Sequence, residues 1–337
     1  MTWATRALLI VGCAASALLA TSGDRARAQT ADPNAAPNPY KMQENWAKPA
    51  GGRKFGQAIK VQVDHSDGKS IWVFDRCSDK ECTNSTVAPI QKFDSSGALQ
   101  TAFGAGLFAV PHAFYVDREG NVWAGDQIAK NGKGADLIKF APDGRVLMTL
   151  GKPGMPGDAE GFLSAVSAVV VAPNGDIYVA DGHGTGTNDR IVQFSKDGRF
   201  IRAWGKHGKN GGEFDQPHGI ALDSGGHVYV ADRANNRVQM FDQGGKFIAI
   251  LKQFGRPSDV AIGKDDMIYV ADSQSDEKTN PGFKQGIRVG KLDGAVTAFI
   301  PATSPETGSP EGVGVDDAGN VYGGWVAKMA VRRFVKQ

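Results

Sequence analysis

The sequence predicts an all-β chain closed into a six-bladed β-propeller, and three observations lead there. A phrase of two apolar strands around a Gly turn returns about every fifty residues, the range of repeat arrays. Its clearest copies run from Val110 to Asp126 and from Gln216 to Asp232, and each is followed by a third strand, such as Arg237 to Phe241. Gly is abundant at 44 residues while charged residues make up an ordinary 22%, the balance of a turn-rich chain that still folds around a core.

Aligned on the residue that opens the turn after the first strand, six units begin their turns at Asp64, Asp117, Ala172, Asp223, Gly263 and Asp316. Their second strands end at Asp75, Asp126, Asp181, Asp232 and Asp272, and in the sixth unit near Trp325. The Leu/Asn or 3.6-residue patterns that a solenoid needs are not found, so the units are arranged radially. Each blade then packs only on its neighbours, which lets about three hundred residues fold without one oversized core. The last unit supplies strand residues at 313–315, 321–322 and 331–335. Its missing outer strand is therefore expected from the chain before Ile59.

The propeller is expected to span 51–337, after a signal peptide at 1–28 and a flexible leader at 29–50. Arg6 precedes an apolar run from Ala7 to Ala20, and Ala26-Arg27-Ala28 offers small residues for cleavage near Ala28, the layout of a secretory signal. Ile10 to Cys13 resembles a lipoprotein cleavage site, but the apolar run continues past Cys13. A periplasmic or secreted monomer is expected, with no membrane span in the remainder. Loss of Arg6, Arg25, Arg27 and Asp24 from 38 basic and 36 acidic residues leaves equal numbers of each. Such a chain has no electrostatic reason to seek nucleic acid. The leader carries four prolines and little periodicity. Beyond Cys13, only Cys77 and Cys82 remain; in an oxidising compartment a pair five positions apart most often closes a local disulfide, the alternative being a metal pair.

In a propeller the first strand of every blade lines the channel, so one repeat position makes a ring. Five residues before each turn stand Ile59, His112, Ser167, His218, Ser258 and Glu311. Two imidazoles and a carboxylate thus fall on alternate blades, a ligand set suited to zinc or another first-row divalent ion. Taken one by one, each is equally at home as a hydrogen-bonded channel residue. A second ring follows the Asp that ends the second strand: Arg76, Gln127, Gly182-His183, Arg233, Ser273 and Val326. Arg76 and Arg233 offer planar forks for a substrate carboxylate. The other reading pairs them with a neighbouring blade's Asp.

Several phrases resemble the NHL-repeat propellers: Asp181-Gly-His183, Arg190 to Phe194, Gly212 to Phe214, and Val230 to Arg233 followed by Asn236 to Gln239. With the Pro-His pairs ending at His112 and His218, they resemble more closely the peptidyl-α-hydroxyglycine α-amidating lyases. That resemblance implies a channel zinc held by three histidines, two at His112 and His218, and substrate arginines at Arg76 and Arg233. It also implies a structural calcium. The sequence departs at three places: Glu311 stands at the third ligand position, Gly312 at the acidic position that helps bind calcium, and His183 at the position of the family's Tyr.

The function expected is that of a metal-dependent lyase on a small-molecule or peptide substrate. The metal would be held by His112, His218 and Glu311, with His183 moving a proton. A non-catalytic binding propeller is the competing class. A lactonase-type hydrolase ranks last, since its metal site needs more carboxylates than this ring has.

Overall fold

In the computed structural model, residues 1, 32–43, 45–302 and 308–337 are described. The signal peptide expected at 1–28 lies, beyond its first residue, outside them. Six antiparallel four-stranded sheets account for the fold. Blade one is β2 (Ala58–Val63), β3 (Ile71–Asp75), β4 (Ile90–Phe93) and β5 (Leu99–Phe103); blade two is β6 (Pro111–Val116), β7 (Val122–Asp126), β8 (Asp136–Phe140) and β9 (Val146–Gly151). Blade three is β10 (Val166–Val171), β11 (Ile177–Asp181), β12 (Arg190–Phe194) and β13 (Phe200–Trp204); blade four is β14 (Pro217–Leu222), β15 (Val228–Asp232), β16 (Arg237–Phe241) and β17 (Phe247–Leu251). Blade five is β18 (Pro257–Ile262), β19 (Ile268–Asp272), β20 (Gly286–Gly290) and β21 (Val296–Pro301). Among the described residues the only helical piece is a 3-10 turn at Ala50–Gly52.

The sixth blade closes the ring. Its strands β22 (Pro310–Val315), β23 (Val321–Trp325) and β24 (Ala330–Lys336) are completed by β1 (Tyr40–Gln43), which pairs Tyr40 with Lys336 and Gln43 with Arg333. The outer strand thus comes from before Ile59, as expected, but the boundary at residue 51 is corrected. The leader is not loose throughout. Tyr40, Trp46 and Ala47 are buried, and the Trp46 ring meets Tyr322 of blade six at 5.2 Å and Phe93 of blade one at 6.1 Å. Prolines broke the strand periodicity there without preventing burial.

The core is six separate packings, one between each pair of adjacent blades. Ala168, Val170 and Tyr178 of blade three meet Ile220, Val228 and Val230 of blade four, and the first-strand neighbours touch in cyclic order from β2 to β22 and back to β2. The recurrent Asp at the turn has a mechanical reason. Asp64 and Asp117 accept the indole N–H of Trp72 and Trp123, and Asp223 and Asp316 accept the hydroxyls of Tyr229 and Tyr322. Each carboxylate pins a buried second-strand aromatic to its turn.

The Asp that ends the second strand is buried and meets an Arg: Asp75 with Arg53, Asp181 with Arg190, Asp232 with Arg237, Asp272 with Arg288. Blade two breaks this rule. The ladder that pairs Gly125 with Leu137 brings Asp126 next to Asp136, where Arg190 and Arg237 stand in blades three and four. Burial, then Asp136, pushes Asp126 up to about 7 despite a bond from the Ala109 N–H; burial pushes Asp136 up to about 6. A carboxyl whose folded pKa is raised stabilises the fold fully below its unfolded pKa, and that contribution is lost as pH rises through about 6 to 7. Asp136→Arg, which copies the pairing of blades three and four, is expected to raise the melting temperature by a few degrees at pH 8 and by less at pH 5. An equal or negative change at pH 8 in calorimetry would count against this account of blade two.

Candidate metal centre

Each ring residue occupies a β-bulge. The ladder between first and second strands skips Ile59, His112, Ser167, His218, Ser258 and Glu311, so the same irregularity recurs in all six blades. A bulge leaves its residue out of the ladder and re-aims the side chain. Here it brings the rings of His112 and His218 to 4.5 Å between centroids, both fully buried.

Their second nitrogens are held by backbone. His112 Nδ1 lies 2.8 Å from the Ser167 carbonyl oxygen, and His218 Nδ1 lies 2.5 Å from that of Ser258. A carbonyl only accepts, so Nδ1 carries the proton in both rings and Nε2 presents a lone pair. Each of these histidines is therefore oriented by the ring residue of the following blade. Ser167 is itself fixed by hydroxyl bonds to the Ala180 and Pro217 carbonyls. Burial holds both imidazoles well below their usual pKa, with Arg233 next in effect on His218 and His183 on His112.

The third histidine of the cluster comes from the loop after β11. His183 Nε2 is 3.1 Å from His218 Nε2, and its ring centroid is 4.6 Å from that of His112. Burial, Arg233 and Arg76 push it down to about 3, so it is neutral near pH 7. One nitrogen from each of His112, His183 and His218 lies within 4.8 Å of the others. His112 Nε2 is buried with no hydrogen-bond partner, which leaves an unsatisfied acceptor beside two further imidazoles. Three neutral imidazoles, two of them locked through Nδ1 to carbonyls, fit a divalent transition ion with an open position.

This differs from the expected ligand set. Glu311 does not join the histidine group; its Oε1 lies 3.3 Å from His218 Nε2 and 3.5 Å from Arg233 Nη1. The carboxylate stands between one imidazole and a guanidinium, and His183, expected to move a proton, takes the place beside the other two imidazoles. The calcium position does not fit its ion. Gly312 supplies no donor, and a Cβ there would come within 2.5 Å of the Ile59 carbonyl oxygen. Nearby, the buried carboxylate of Asp259 is already bonded to Lys60 at 2.5 Å.

The arginines do not pair with a neighbouring Asp. Arg76 donates to Gln57 Oε1 at 2.7 Å, Gln127 Oε1 at 2.9 Å and the Pro111 carbonyl at 3.3 Å. Arg233 donates to Gln216 Oε1 at 2.6 Å and meets His218 Nε2 at 2.6 Å. Neutral amides thus aim both guanidiniums; Arg76 meets no carboxylate among the described residues, while Arg233 also faces Glu311, and a planar fork of this kind suits an anion. Gln57 and Gln216 escaped the sequence reading although they share one repeat position, two residues before the ring, in the same blades as the arginines they hold. At the far ends of the inner strands a cavity of about 530 Å³ is lined by Lys60, Tyr115, Arg118 and Asp259 but by none of the three histidines. It is separate from the centre described.

Cys77 and Cys82 are joined as a disulfide, as expected. No helix among the described residues is long and apolar enough to cross a membrane.

Residues 214–241 match the NHL repeat. Over 325 residues the chain is 32% identical to peptidyl-glycine α-amidating monooxygenase A of Xenopus laevis, covering 87% of this chain and 33% of that protein. Over 232 residues it is 31% identical to peptidyl-α-hydroxyglycine α-amidating lyase 1 of Drosophila melanogaster, covering 60% of this chain and 40% of that one. The chain therefore spans well under half the length of these relatives. A gluconolactonase from Xanthomonas campestris shares the fold at a TM-score of 0.59 and 13% identity, over 89% of this chain and 95% of that one. The chain is an NHL-type six-bladed β-propeller, similar along most of its length to amidating enzymes.

Proposed function

We propose that this chain is an exported, metal-dependent lyase that cleaves the carbon–nitrogen bond of a small α-hydroxyglycine-type substrate with a free carboxylate. The observation that carries the reading is the convergence of three neutral histidines, two fixed by carbonyls of the following blade, beside two amide-held arginines and one carboxylate. His112, His183 and His218 would hold the ion, zinc by the donor set, which when bound polarises a substrate oxygen.

The rest of the work falls to side chains of this chain. Arg76 and Arg233 bind the carboxylate and fix the substrate's orientation. Glu311, against Arg233 and beside His218, takes the hydroxyl proton. The carbon–oxygen double bond forms as the carbon–nitrogen bond breaks, and the leaving nitrogen recovers a proton, giving an amide and an α-oxo acid. Compared with the expectation from sequence, the ligand and proton-handling roles of Glu311 and His183 are exchanged. Export rests on the 1–28 segment and agrees with the Cys77–Cys82 disulfide.

Purified protein should contain a transition metal, release an α-oxo acid from an N-acyl-α-hydroxyglycine, and lose that activity on chelation and regain it with zinc. A folded protein that binds no transition metal and leaves this substrate intact would instead support the non-catalytic binding propeller.

A further inference from the structure

Outside the channel a second group of metal-type donors stands on the loops that present two of the three histidines. Asp189, His207 and Asp215 each place one donor atom within 4.8 Å of the others. Asp189 is the last residue before β12 and closes the loop that begins with Gly182-His183. Gly182 packs so closely on Asp189 that a Cβ would meet its backbone at 2.8 Å. Asp189 Oδ1 accepts the Gln216 N–H at 3.0 Å, two residues before His218, and Oδ2 lies 2.8 Å from His207 Nδ1. Asp215 begins the segment that leads into β14, and its backbone N–H is held by Asp232.

The charges of this group do not balance on their own. The Asp189 side chain is only 4% exposed, yet neither Lys nor Arg pairs with it among the described residues. The Asp215 carboxylate accepts no hydrogen bond among the described residues, and Lys206, the neighbouring lysine, turns to Glu213. Two carboxylates are thus brought close to one another, one of them buried, with a single imidazole between them. Like charges in such a place call for a cation.

We infer that Asp189, His207 and Asp215 form a second divalent-cation site that ties the His183 loop to the segment bearing His218. One imidazole and two carboxylates suit zinc or manganese, with remaining positions open to water. His207 is 71% exposed on its side chain, so an ion can reach the group from solvent. Binding exchanges the His207 ring proton for the ion. This site does not depend on the lyase reading, because none of its donors lies in the channel cluster.

The test is zinc titration of the full chain, stripped with chelator, followed by calorimetry and by elemental analysis after gel filtration. His207→Ala should lose one equivalent relative to the parent protein, with proton uptake by the buffer reduced to match, while its β spectrum is retained. Asp215→Asn should weaken the same equivalent at least about tenfold. Cleavage of the 184–188 loop by protease should slow when zinc is added to His112→Ala but not to the His112→Ala/His207→Ala double variant. Unchanged zinc content in His207→Ala would overturn the site and show that a protonated His207 balances the two carboxylates. Failure of the channel site would look different: His112→Ala would then keep every equivalent that the parent binds.

Discussion

His218→Ala is expected to fold normally and to lose the channel metal. The residue sits at a bulge, outside the ladder of blade four, so its removal costs no sheet hydrogen bond between β14 and β15. Its Nε2 is within 3.1 Å of His183 Nε2, and its ring is 4.5 Å from that of His112, so two imidazoles would remain of three. The lyase activity proposed above should fall by at least about 100-fold, beyond what loss of an orienting partner alone produces. The cavity would also leave Arg233 without the ring it meets at 2.6 Å, and a modest drop in melting temperature is expected with it. Full metal content in a cooperatively melting His218→Ala protein would reduce His218 to a channel residue.

Glu311→Gln should give the opposite signature: metal retained, turnover lost. The substitution keeps shape and a hydrogen-bonding oxygen next to Arg233 Nη1 but removes the carboxylate proposed as the base. A fall in kcat of roughly 10²–10⁴ is expected for a lost proton-transfer group, with KM little changed because the arginines still hold the carboxylate. His183→Ala provides the control. It should behave like His218→Ala and lose the ion. Should Glu311→Gln lose the metal while His183→Ala keeps it, the ligand set read first from the sequence, His112 with His218 and Glu311, would be reinstated.

The ring was legible because a repeat fixes both the fold and the positions that face its axis. Counting back from the six turns found Ile59, His112, Ser167, His218, Ser258 and Glu311 without structural knowledge, and all six occupy one bulge position. The reach of a side chain was not legible in the same way. His183 lies outside the ring, and only the folded loop that ends at Asp189 brings it to 3.1 Å from His218. Glu311 shares the ring position yet reaches only His218 of the three imidazoles and stands as well against Arg233, a partner 78 residues away in sequence. The leader was misread for a related reason. Tyr40 to Gln43 form a strand only because the edge of β24 waits for them, and four residues carry too little pattern to announce that alone.

The six bulges also bear on how such a channel changes over time. A residue that belongs to the ladder is constrained from two sides, by its hydrogen bonds and by its packing. The ring residues are released from the first constraint in every blade, so Ile, His, Ser and Glu can all occupy the same socket while the sheet behind them stays as it was. New chemistry at the axis can therefore be written one residue at a time, and Ile59, Ser167 and Ser258 are sockets in which no imidazole or carboxylate has been set.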